Sequence, residues 1–506
     1  MSEVRVRFAP SPTGPLHIGG VRTALYNYLF ARKNDGKMIL RIEDTDQTRF
    51  VEGAEDYIKE SLKWCGINFD EGVEDKGDYG PYKQSERKQL YIKYSEQLIE
   101  KGWAYYAFDS SEDLNALREK AEEEKQVFTY NAESRKTLCN SLTLSQEDTQ
   151  KRLDAGEKYV VRFKMPDNED IIFTDAIRGE VSVNSSRLDD KILFKSDGMP
   201  TYHLANIVDD HLMKISHVIR GEEWLPSAPL HVLLYRAFNW EEPVFAHLPI
   251  ILKPVGKGKL SKRDGDKMGF PVFPMAWKDP KTDEIFAGYK ENGFFPDAFI
   301  NMLALLGWNP GTEQEIFSME ELIAAFSLER VGKSGAKFDP DKTNWFNQQY
   351  MKNQSNSDLL EAFIPILKEH KIEHIDKAVT EEIIDMVKER CTFIKDIWEQ
   401  SYFFFQTPTE YNAKVVKKRW KENTPQYMAD IKAIFEQADN WQAEPLHDAV
   451  GNYIQENDLG FGAVMNALRL IIVGDSKGPD LFKIIELIGK EEAINRMTLG
   501  LDKIKK

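Results

Sequence analysis

Cysteine is scarce in this sequence. Only Cys65, Cys139 and Cys391 occur among 506 residues, and they are far apart. A disulfide framework needs several paired cysteines, and a structural zinc site needs about four nitrogen or sulfur ligands. The spacing meets neither requirement, so we expect reduced thiols and no structural zinc.

Long apolar runs, internal repeats and low-complexity segments are also missing. No stretch reaches the roughly twenty consecutive apolar residues of a membrane-spanning helix. Residues 1–4 do not begin the basic and then apolar pattern of a secretion signal. These absences predict a cytoplasmic protein that does not bind a membrane.

Basic residues are fewer than acidic ones. The 67 Lys and Arg against 83 Asp and Glu give a formal net charge of -16. This excess argues against nucleic-acid binding without excluding it, because phosphate contacts depend on local patches. A content of 42% hydrophobic and 30% charged residues is typical of a globular protein, and 506 residues are too many for one core. We therefore expect two or more domains.

A strand, a tight turn and a helix start follow one another near the amino terminus. Residues 4–8 alternate apolar and arginine side chains, which predicts a strand, and a turn rich in proline and glycine follows. A helix start favours phosphate through its free amides and dipole. Gly19 and Gly20 would allow a nucleotide close to the backbone, and His17 can donate to phosphate. The alternative is a buried turn with an incidental histidine; the glycine spacing is not that of the dinucleotide-binding fingerprint.

Two further predicted strands end in charged residues. The strand at 38–42 leads into Glu-Asp-Thr-Asp at 43–46, and the strand at 215–219 leads into Arg220. Ligands bind outside the carboxyl ends of strands in open α/β sheets, and an arginine there can hold a carboxylate through two parallel hydrogen bonds. Alternatively, these residues are a solvated acidic loop and an ordinary surface arginine.

A glycine-punctuated basic loop follows the apolar stretch 246–252. It has the sequence Lys-Gly-Lys-Leu-Ser-Lys-Arg at 257–263. Flexible ammonium groups at this density suit a polyphosphate, although a solvated loop can have the same composition.

Together these stretches resemble the class I aminoacyl-tRNA synthetases. Residues 7–20, Arg-Phe-Ala-Pro-Ser-Pro-Thr-Gly-Pro-Leu-His-Ile-Gly-Gly, resemble the first signature of that class, in the form found in bacterial glutamyl-tRNA synthetases. Residues 259–263, Lys-Leu-Ser-Lys-Arg, resemble the second signature. The resemblance extends over nearly the whole chain. It implies ATP-dependent activation of L-glutamate and transfer of the glutamyl group to tRNA-Glu.

The resemblance also implies the site residues. The catalytic residues would be His17, Lys259 and Lys262. The ATP-binding residues would be Pro12, Thr13, Gly14, His17, Gly19, Gly20, Glu223, Trp224, Leu260, Ser261 and Lys262. The glutamate-binding residues would be Arg7, Ala9, Ser11, Glu43, Tyr202, Asn206 and Arg220. Glu43 would contact the substrate ammonium, and Tyr202 and Asn206, four residues apart, would share a helix face.

The expected fold class is α/β. A Rossmann-like parallel-sheet catalytic domain in two halves, 1–102 and 197–270, would carry an α+β insertion at 103–196 that binds the acceptor end of tRNA. A stem-contact or linker region would follow at 271–340. The insertion lacks the cysteines with which some bacterial relatives bind zinc, since Cys139 has no partner cysteine there.

The remainder, 341–506, is predicted to be an all-α anticodon-binding domain. Amphipathic helical patterns dominate it, as in bacterial glutamyl enzymes, whereas glutaminyl enzymes carry β-barrels there. A basic run in this region could face tRNA or could be a solvated helix face, and one further arginine resembles the family's C-terminal pattern. These tRNA-binding candidates are Lys414, Lys417, Lys418, Arg419 and Arg469.

The resemblance further implies a monomer that uses ATP with Mg²⁺ and needs no protein nucleophile. Three alternatives stay open: a glutaminyl-tRNA synthetase, a shorter relative that glutamylates a modified tRNA base, and a catalytically inactive tRNA-binding protein. Glutaminyl enzymes have Pro-Pro-Glu-Pro-Asn where this chain has Ala-Pro-Ser-Pro-Thr at 9–13. The shorter relative lacks the C-terminal half, and an inactive protein would lack His17 or Lys262. The anticodon contacts, which decide whether tRNA-Gln is also glutamylated, fall where the resemblance is weakest.

Overall fold

The structure, a computed structural model, describes residues 3–74 and 77–505. The chain divides into two compact units, Met1–Thr343 and Asn344–Lys506. Each unit contains a large hydrophobic core of its own. Among the described residues, no helix combines the length and apolar character needed to cross a bilayer.

All strands of the described chain belong to the first unit. They are β1 Arg5–Phe8, β2 Lys37–Leu40, β3 Ala104–Ala107, β4 Val160–Phe163, β5 Asp170–Asp175, β6 Gly179–Asn184, β7 Ile192–Phe194, β8 His217–Gly221, β9 Val244–Leu248, β10 Ile251–Leu252, β11 Trp277–Lys278, β12 Ile285–Phe286 and β13 Ala336–Lys337.

Parallel strand pairs form the centre of this unit. β1 pairs with β2, and β8 pairs with β9, both in parallel. The Ser216 amide donates to the Arg5 carbonyl, which places the start of β8 beside β1. All four residues of β1 are buried, including Arg5 and Arg7, because both faces of a parallel sheet are covered. The apolar and arginine side chains that alternate along β1 therefore point to two faces that are both buried. Arg5 forms an ion pair with Glu71, and Arg7 forms one with Asp210.

The predicted insertion, 103–196, contributes to two sheets. β3, β4 and β7 form a three-stranded antiparallel sheet. In contrast, the β5–β6 hairpin joins the sheet of β8 and β9, because β5 pairs in parallel with β9. The sequence pattern alone could not assign β5 to that sheet, since its partner lies about seventy residues later, at Phe245.

Ten α-helices lie wholly within the described part of the first unit. They are α1 Ile18–Lys33, α2 Ala54–Trp64, α3 Lys88–Glu100, α4 Ser111–Glu123, α5 Gln146–Asp154, α6 Tyr202–Leu212, α7 Ala228–Phe238, α8 Lys262–Met268, α9 Pro296–Leu305 and α10 Met319–Ala325. α1 connects the parallel strands β1 and β2, as a crossover helix does. Tyr202 and Asn206 lie on α6, as their spacing predicted.

Every secondary-structure element in the described residues of the second unit, 344–505, is a helix. The division between the units falls within α11 Pro340–Asn353. The helices that follow are α12 Asn356–Glu369, α13 Lys377–Val387, α14 Ile394–Phe405, α15 Ala413–Arg419, α16 Thr424–Gln437, α17 Ala443–Glu456, α18 Phe461–Val473, α19 Leu481–Ile488 and α20 Lys490–Lys503. The predicted fold class, a parallel-sheet α/β region followed by an all-α region, is confirmed; the exact domain bounds stay a prediction.

Candidate active site

A cavity of about 240 Å³ lies at the carboxyl ends of β1, β2 and β8. This is the edge where open α/β sheets bind ligands. Among its lining residues are all seven that were predicted to bind glutamate, namely Arg7, Ala9, Ser11, Glu43, Tyr202, Asn206 and Arg220. The structure thus brings together residues that are more than two hundred positions apart in the sequence.

His17 caps the start of α1, next to this cavity. Its Nδ1 accepts a hydrogen bond from the Gly19 amide at 3.2 Å. Burial, with a smaller effect of Lys259, lowers the pKa of His17 to about 4, so the ring is neutral at pH 7. Because Nδ1 accepts, the proton of the neutral ring is on Nε2, and this buried atom has no partner among the described residues. The Nε2–H of His17 is therefore a buried hydrogen-bond donor that the described residues leave without an acceptor.

The two glycines that follow His17 differ in what they allow. A Cβ at Gly20 would lie 2.5 Å from Leu16 Cδ1, so a larger residue there would require the Leu16 side chain to shift. A Cβ at Gly19 would make only an ordinary contact with His17, at 3.5 Å. Both glycines line the cavity.

A balanced network of buried charges adjoins the cavity. Its arginines and carboxylates are equal in number: Arg7, Arg41 and Arg87 with Glu43, Asp209 and Asp210. Arg7 Nε lies 3.0 Å from Asp210 Oδ1, and Arg41 Nη2 lies 2.8 Å from Glu43 Oε1. Burial alone would raise the pKa of Asp210, but Arg7 and Arg41 outweigh it and hold the pKa below its usual range. The guanidinium of Arg7 is therefore already neutralised.

Arg220 is the exception to this balance. Its side chain is buried, with 4% of the residue exposed, and it donates to His247 Nε2 and to Tyr202 Oη, each at 3.0 Å. A longer hydrogen bond of 3.4 Å goes to the carbonyl of Trp224. Within residues 3–74 and 77–505, no carboxylate forms an ion pair with Arg220. The cavity consequently contains a guanidinium that forms no ion pair with any described residue.

Asn206 and Glu43 form a second polar feature of the cavity wall. Asn206 Nδ2 donates to Glu43 Oε1 at 3.0 Å, and Arg41 donates to the same oxygen. The buried Oδ1 of Asn206 has no hydrogen-bond partner among the described residues. This oxygen can accept a hydrogen bond from a ligand cation such as an ammonium group.

The basic loop 257–263 lies close to the cavity at one point. Lys259 Nζ is 3.1 Å from Glu223 Oε1, and Glu223 lines the cavity. Lys262, the first residue of α8, lies instead 3.1 Å from the centre of the Phe286 ring and 3.8 Å from Glu284.

The predicted ATP-binding residues divide into three groups. Gly19, Gly20, Glu223 and Trp224 line the cavity itself. Pro12 and Thr13 line a neighbouring cavity of about 450 Å³, which shares several wall residues with the first. The remaining five, which line neither cavity, are Gly14, His17, Leu260, Ser261 and Lys262.

Comparison with known protein families accounts for both units. Residues 3–345 match the family described as tRNA synthetases class I (E and Q), catalytic domain, and residues 357–501 match the anticodon binding domain family. The chain belongs to the class I glutamyl and glutaminyl tRNA synthetases. The sequence-based resemblance to this family is confirmed.

Individual relatives of this synthetase are similar over their full lengths. The chain is 58% identical over 504 residues to the glutamate–tRNA ligase of Christiangramia forsetii, covering 100% of each chain. It is 57% identical over 496 residues to that of Flavobacterium johnsoniae, covering 98% of each. A crystal structure of a glutamate tRNA ligase from Elizabethkingia meningosepticum in complex with its amino acid has a TM-score of 0.97 and 51% identity, with 100% of both chains covered.

Sequence reasoning missed several residues around this synthetase cavity. Asp175, His231 and His247 lie in the surroundings of Arg220. Arg41 pairs with Glu43, and Asp210 pairs with Arg7. No local motif identifies Asp175, His247, Arg41 or Asp210, because the contacts of Asp175 with His247 and of Arg41 with Asp210 join distant segments of the chain. His247 belongs to the apolar stretch 246–252 of the sequence, and the structure places it in β9.

The tRNA-binding candidates occupy two helices of the second unit. Lys414, Lys417 and Lys418 are exposed on α15, and Arg419 ends this helix half-buried. Arg469 lies on α18, where burial lowers the pKa of its guanidinium and Nη1 lacks a partner among the described residues. Their role in binding tRNA stays a prediction.

We expect purified protein to contain no stoichiometric zinc. Cys139 is half-buried, and its amide donates to Asp109. In the described ranges, no group of three or more His, Cys, Asp and Glu side chains could hold a metal ion. Elemental analysis after mild chelation checks this; about one retained zinc per chain would contradict the prediction.

Proposed function

We propose that this synthetase is a glutamate–tRNA ligase. Relatives that are 55–58% identical over nearly the whole chain carry that name. The observation within the site that supports the proposal most strongly is the buried guanidinium of Arg220, which has no counter-charge among the described residues. A buried unpaired charge is unfavourable in the free protein and becomes favourable when a ligand supplies the opposite charge.

The side-chain carboxylate of glutamate is the proposed partner of Arg220. Glutamate and glutamine are nearly equal in size, so only charge and hydrogen-bond polarity distinguish them. A carboxylate can accept hydrogen bonds from the guanidinium. The amide NH₂ of glutamine would instead direct its N–H donors at the N–H donors of Arg220. Arg7 suits this role less well, because Asp210 already neutralises it.

The α-ammonium group of glutamate would bind at Glu43 and Asn206. The Glu43 carboxylate is buried in the cavity wall, and the unpartnered Oδ1 of Asn206 can accept an N–H. Tyr202, whose ring stacks on Trp224 at a centroid distance of 4.2 Å, would close the side of the pocket next to Arg220. Ala9 and Ser11, also in the wall, complete the proposed glutamate site.

ATP would bind along the start of α1 and the basic loop. In the first step, a glutamate α-carboxylate oxygen attacks the α-phosphorus, the bond to the bridging oxygen breaks, and pyrophosphate leaves. The free Nε2–H of His17 would donate to the phosphates, and Lys259 and Lys262 would stabilise the charge that accumulates on them. Mg²⁺ is expected to enter with ATP, since it screens polyphosphate charge.

In the second step, a terminal ribose hydroxyl of tRNA attacks the activated carbonyl and AMP leaves. We propose that residues 103–196 bind the acceptor end, that 271–340 contact the stem, and that the helical remainder binds the anticodon. The exposed lysines of α15 are the proposed phosphate contacts of that remainder. We also propose that the enzyme is monomeric and cytoplasmic.

The alternatives have less support. A glutaminyl enzyme would leave the charge of Arg220 without a partner, and its C-terminal region would be expected to contain β-barrels. The shorter tRNA-modifying relative lacks a C-terminal half, whereas residues 357–501 of this chain match an anticodon binding domain. An inactive protein would not be expected to retain both His17 and Lys262.

A side-by-side aminoacylation assay tests the proposal. Purified tRNA-Glu and tRNA-Gln are each incubated with ATP and either labelled glutamate or labelled glutamine. We expect glutamate on tRNA-Glu, and charging of tRNA-Gln with glutamate would broaden the tRNA range without changing the amino acid. Attachment of glutamine in preference to glutamate, or no ATP-dependent attachment, would contradict the proposal.

A further inference from the structure

Neutral groups surround the guanidinium of Arg220. Its Nε donates to His247 Nε2, and its Nη1 lies 3.0 Å from Tyr202 Oη and 3.2 Å from His231 Nδ1. Both histidines are fully buried, and this burial lowers the pKa of each ring, so both are uncharged at pH 7. The guanidinium is thus held firmly but keeps its charge.

Asp175 determines which nitrogen of His247 carries the proton. Asp175 Oδ2 lies 2.6 Å from His247 Nδ1 and also accepts from the His247 amide at 3.1 Å. Its Oδ1 accepts from the amides of Ile177 and Arg178, at 3.0 and 2.8 Å. Because an ionised carboxylate only accepts, the ring proton lies on Nδ1, and the lone pair of Nε2 is directed at Arg220.

Strand pairing builds this chain of groups. Arg220 and His247 are register partners in β8 and β9, and Asp175 ends β5, which pairs with β9 two residues before His247. A carboxylate at the position of His247 could orient Arg220 equally well. It would, however, pair with the guanidinium directly and compete with a ligand carboxylate. The imidazole places one ring between the charge of Asp175 and that of Arg220.

We propose that His247 and Asp175 are positioning residues for substrate selectivity, which orient the Arg220 guanidinium without neutralising it. They thereby set the preference for a side-chain carboxylate over a carboxamide. This inference rests on the proposed ligation of glutamate. It assigns the selectivity to the three-residue chain Asp175–His247–Arg220 rather than to Arg220 alone.

Three substitutions test the hydrogen-bonded series Asp175–His247–Arg220. His247→Leu removes the acceptor, and Asp175→Asn is isosteric but presents an NH₂ group to His247 Nδ1. Because this NH₂ group donates to Nδ1, the ring proton moves to Nε2. The Nε2–H and the Nε–H of Arg220 are then two donors that point at each other. In His247→Gln, the side-chain oxygen can accept from Arg220 while its NH₂ group donates to Asp175. His211→Leu is the control, because His211 packs on Trp240 and is not among the cavity-lining residues.

The measurements are kcat and KM for glutamate, glutamine and ATP, with thermal unfolding as a check on folding. We expect His247→Leu and Asp175→Asn to raise the glutamate KM about tenfold and to lower the glutamate-to-glutamine ratio of kcat/KM similarly, with the ATP KM unchanged. His247→Gln should restore most of that ratio. If the wild type prefers glutamate and the first two variants keep its ratio, the inference fails while the proposed function stands. If the wild type does not use glutamate, the proposed function itself fails.

Discussion

Replacing Arg220 with glutamine should reduce kcat/KM for glutamate about a thousandfold. The guanidinium is buried and has no carboxylate partner among the described residues, so we expect the substrate carboxylate to be its only negatively charged partner. Truncating one member of a buried charge pair costs roughly 2–5 kcal/mol, and about 4 kcal/mol corresponds to a factor of a thousand. Glutamine, which gains no charged pair from Arg220, should lose far less.

Aminoacylation kinetics with both amino acids measure this difference. Arg236→Gln is a matched control, because Arg236 is exposed on α7 and pairs with Glu169 outside the cavity. We expect the control to retain the wild-type glutamate-to-glutamine ratio. An equal loss for glutamate and glutamine in Arg220→Gln would mean that Arg220 is structural or holds the α-carboxylate that both share.

Much of the cavity could be predicted from the sequence because its residues belong to strand ends. Arg7, Glu43 and Arg220 lie in or just after strands that the apolar pattern identified. Parallel strands have their carboxyl ends at the same edge of the sheet. The three side chains, each predicted from its own stretch of sequence, therefore line one cavity. The resemblance added Tyr202 and Asn206, whose spacing on α6 agrees with the structure.

The network behind the cavity could not be predicted, because it depends on which strands are neighbours. Asp175 contacts His247 only because the β5–β6 hairpin joins the sheet of β8 and β9, and the sequence had suggested an inserted domain for it. Arg41 pairs with Asp210 across 169 residues of chain, with no local pattern at either position. Apolar periodicity indicates which residues form strands and gives no information about long-range partners of buried charges.

Glycine 20 illustrates a third limit. The sequence suggested that Gly19 and Gly20 both serve close approach of a nucleotide. The structure adds a packing role for Gly20, since a Cβ there would lie 2.5 Å from Leu16 Cδ1. A sequence motif gives no information about side-chain packing inside a turn. Glycines in one motif can therefore be needed for ligand binding, for packing, or for both.

Lys262 does not contact the cavity, so replacing it tests whether the basic loop takes part in the proposed mechanism. Its ammonium group packs on Phe286 and lies near Glu284, and Lys262 does not line the cavity. If it stabilises the pentavalent phosphorus and the departing pyrophosphate, it must leave these contacts as negative charge develops. Its interaction would then be stronger in the transition state than with bound ATP, which is the condition for an effect on kcat.

We therefore expect Lys262→Ala to lower kcat about a hundredfold, the usual effect of removing one donor to a developing anion, with a smaller change in the ATP KM. The control is Lys267→Ala, which removes the same charge from an exposed position on the same short helix. Glu284→Gln should weaken the resting contact of Lys262 and leave kcat at or above the wild-type value. A Lys262→Ala variant with normal kcat and a raised ATP KM would reduce Lys262 to a ground-state contact with ATP. A hundredfold loss in kcat that exceeds the change in the ATP KM and is absent from Lys267→Ala would instead mean that Lys262 acts on the reacting phosphates.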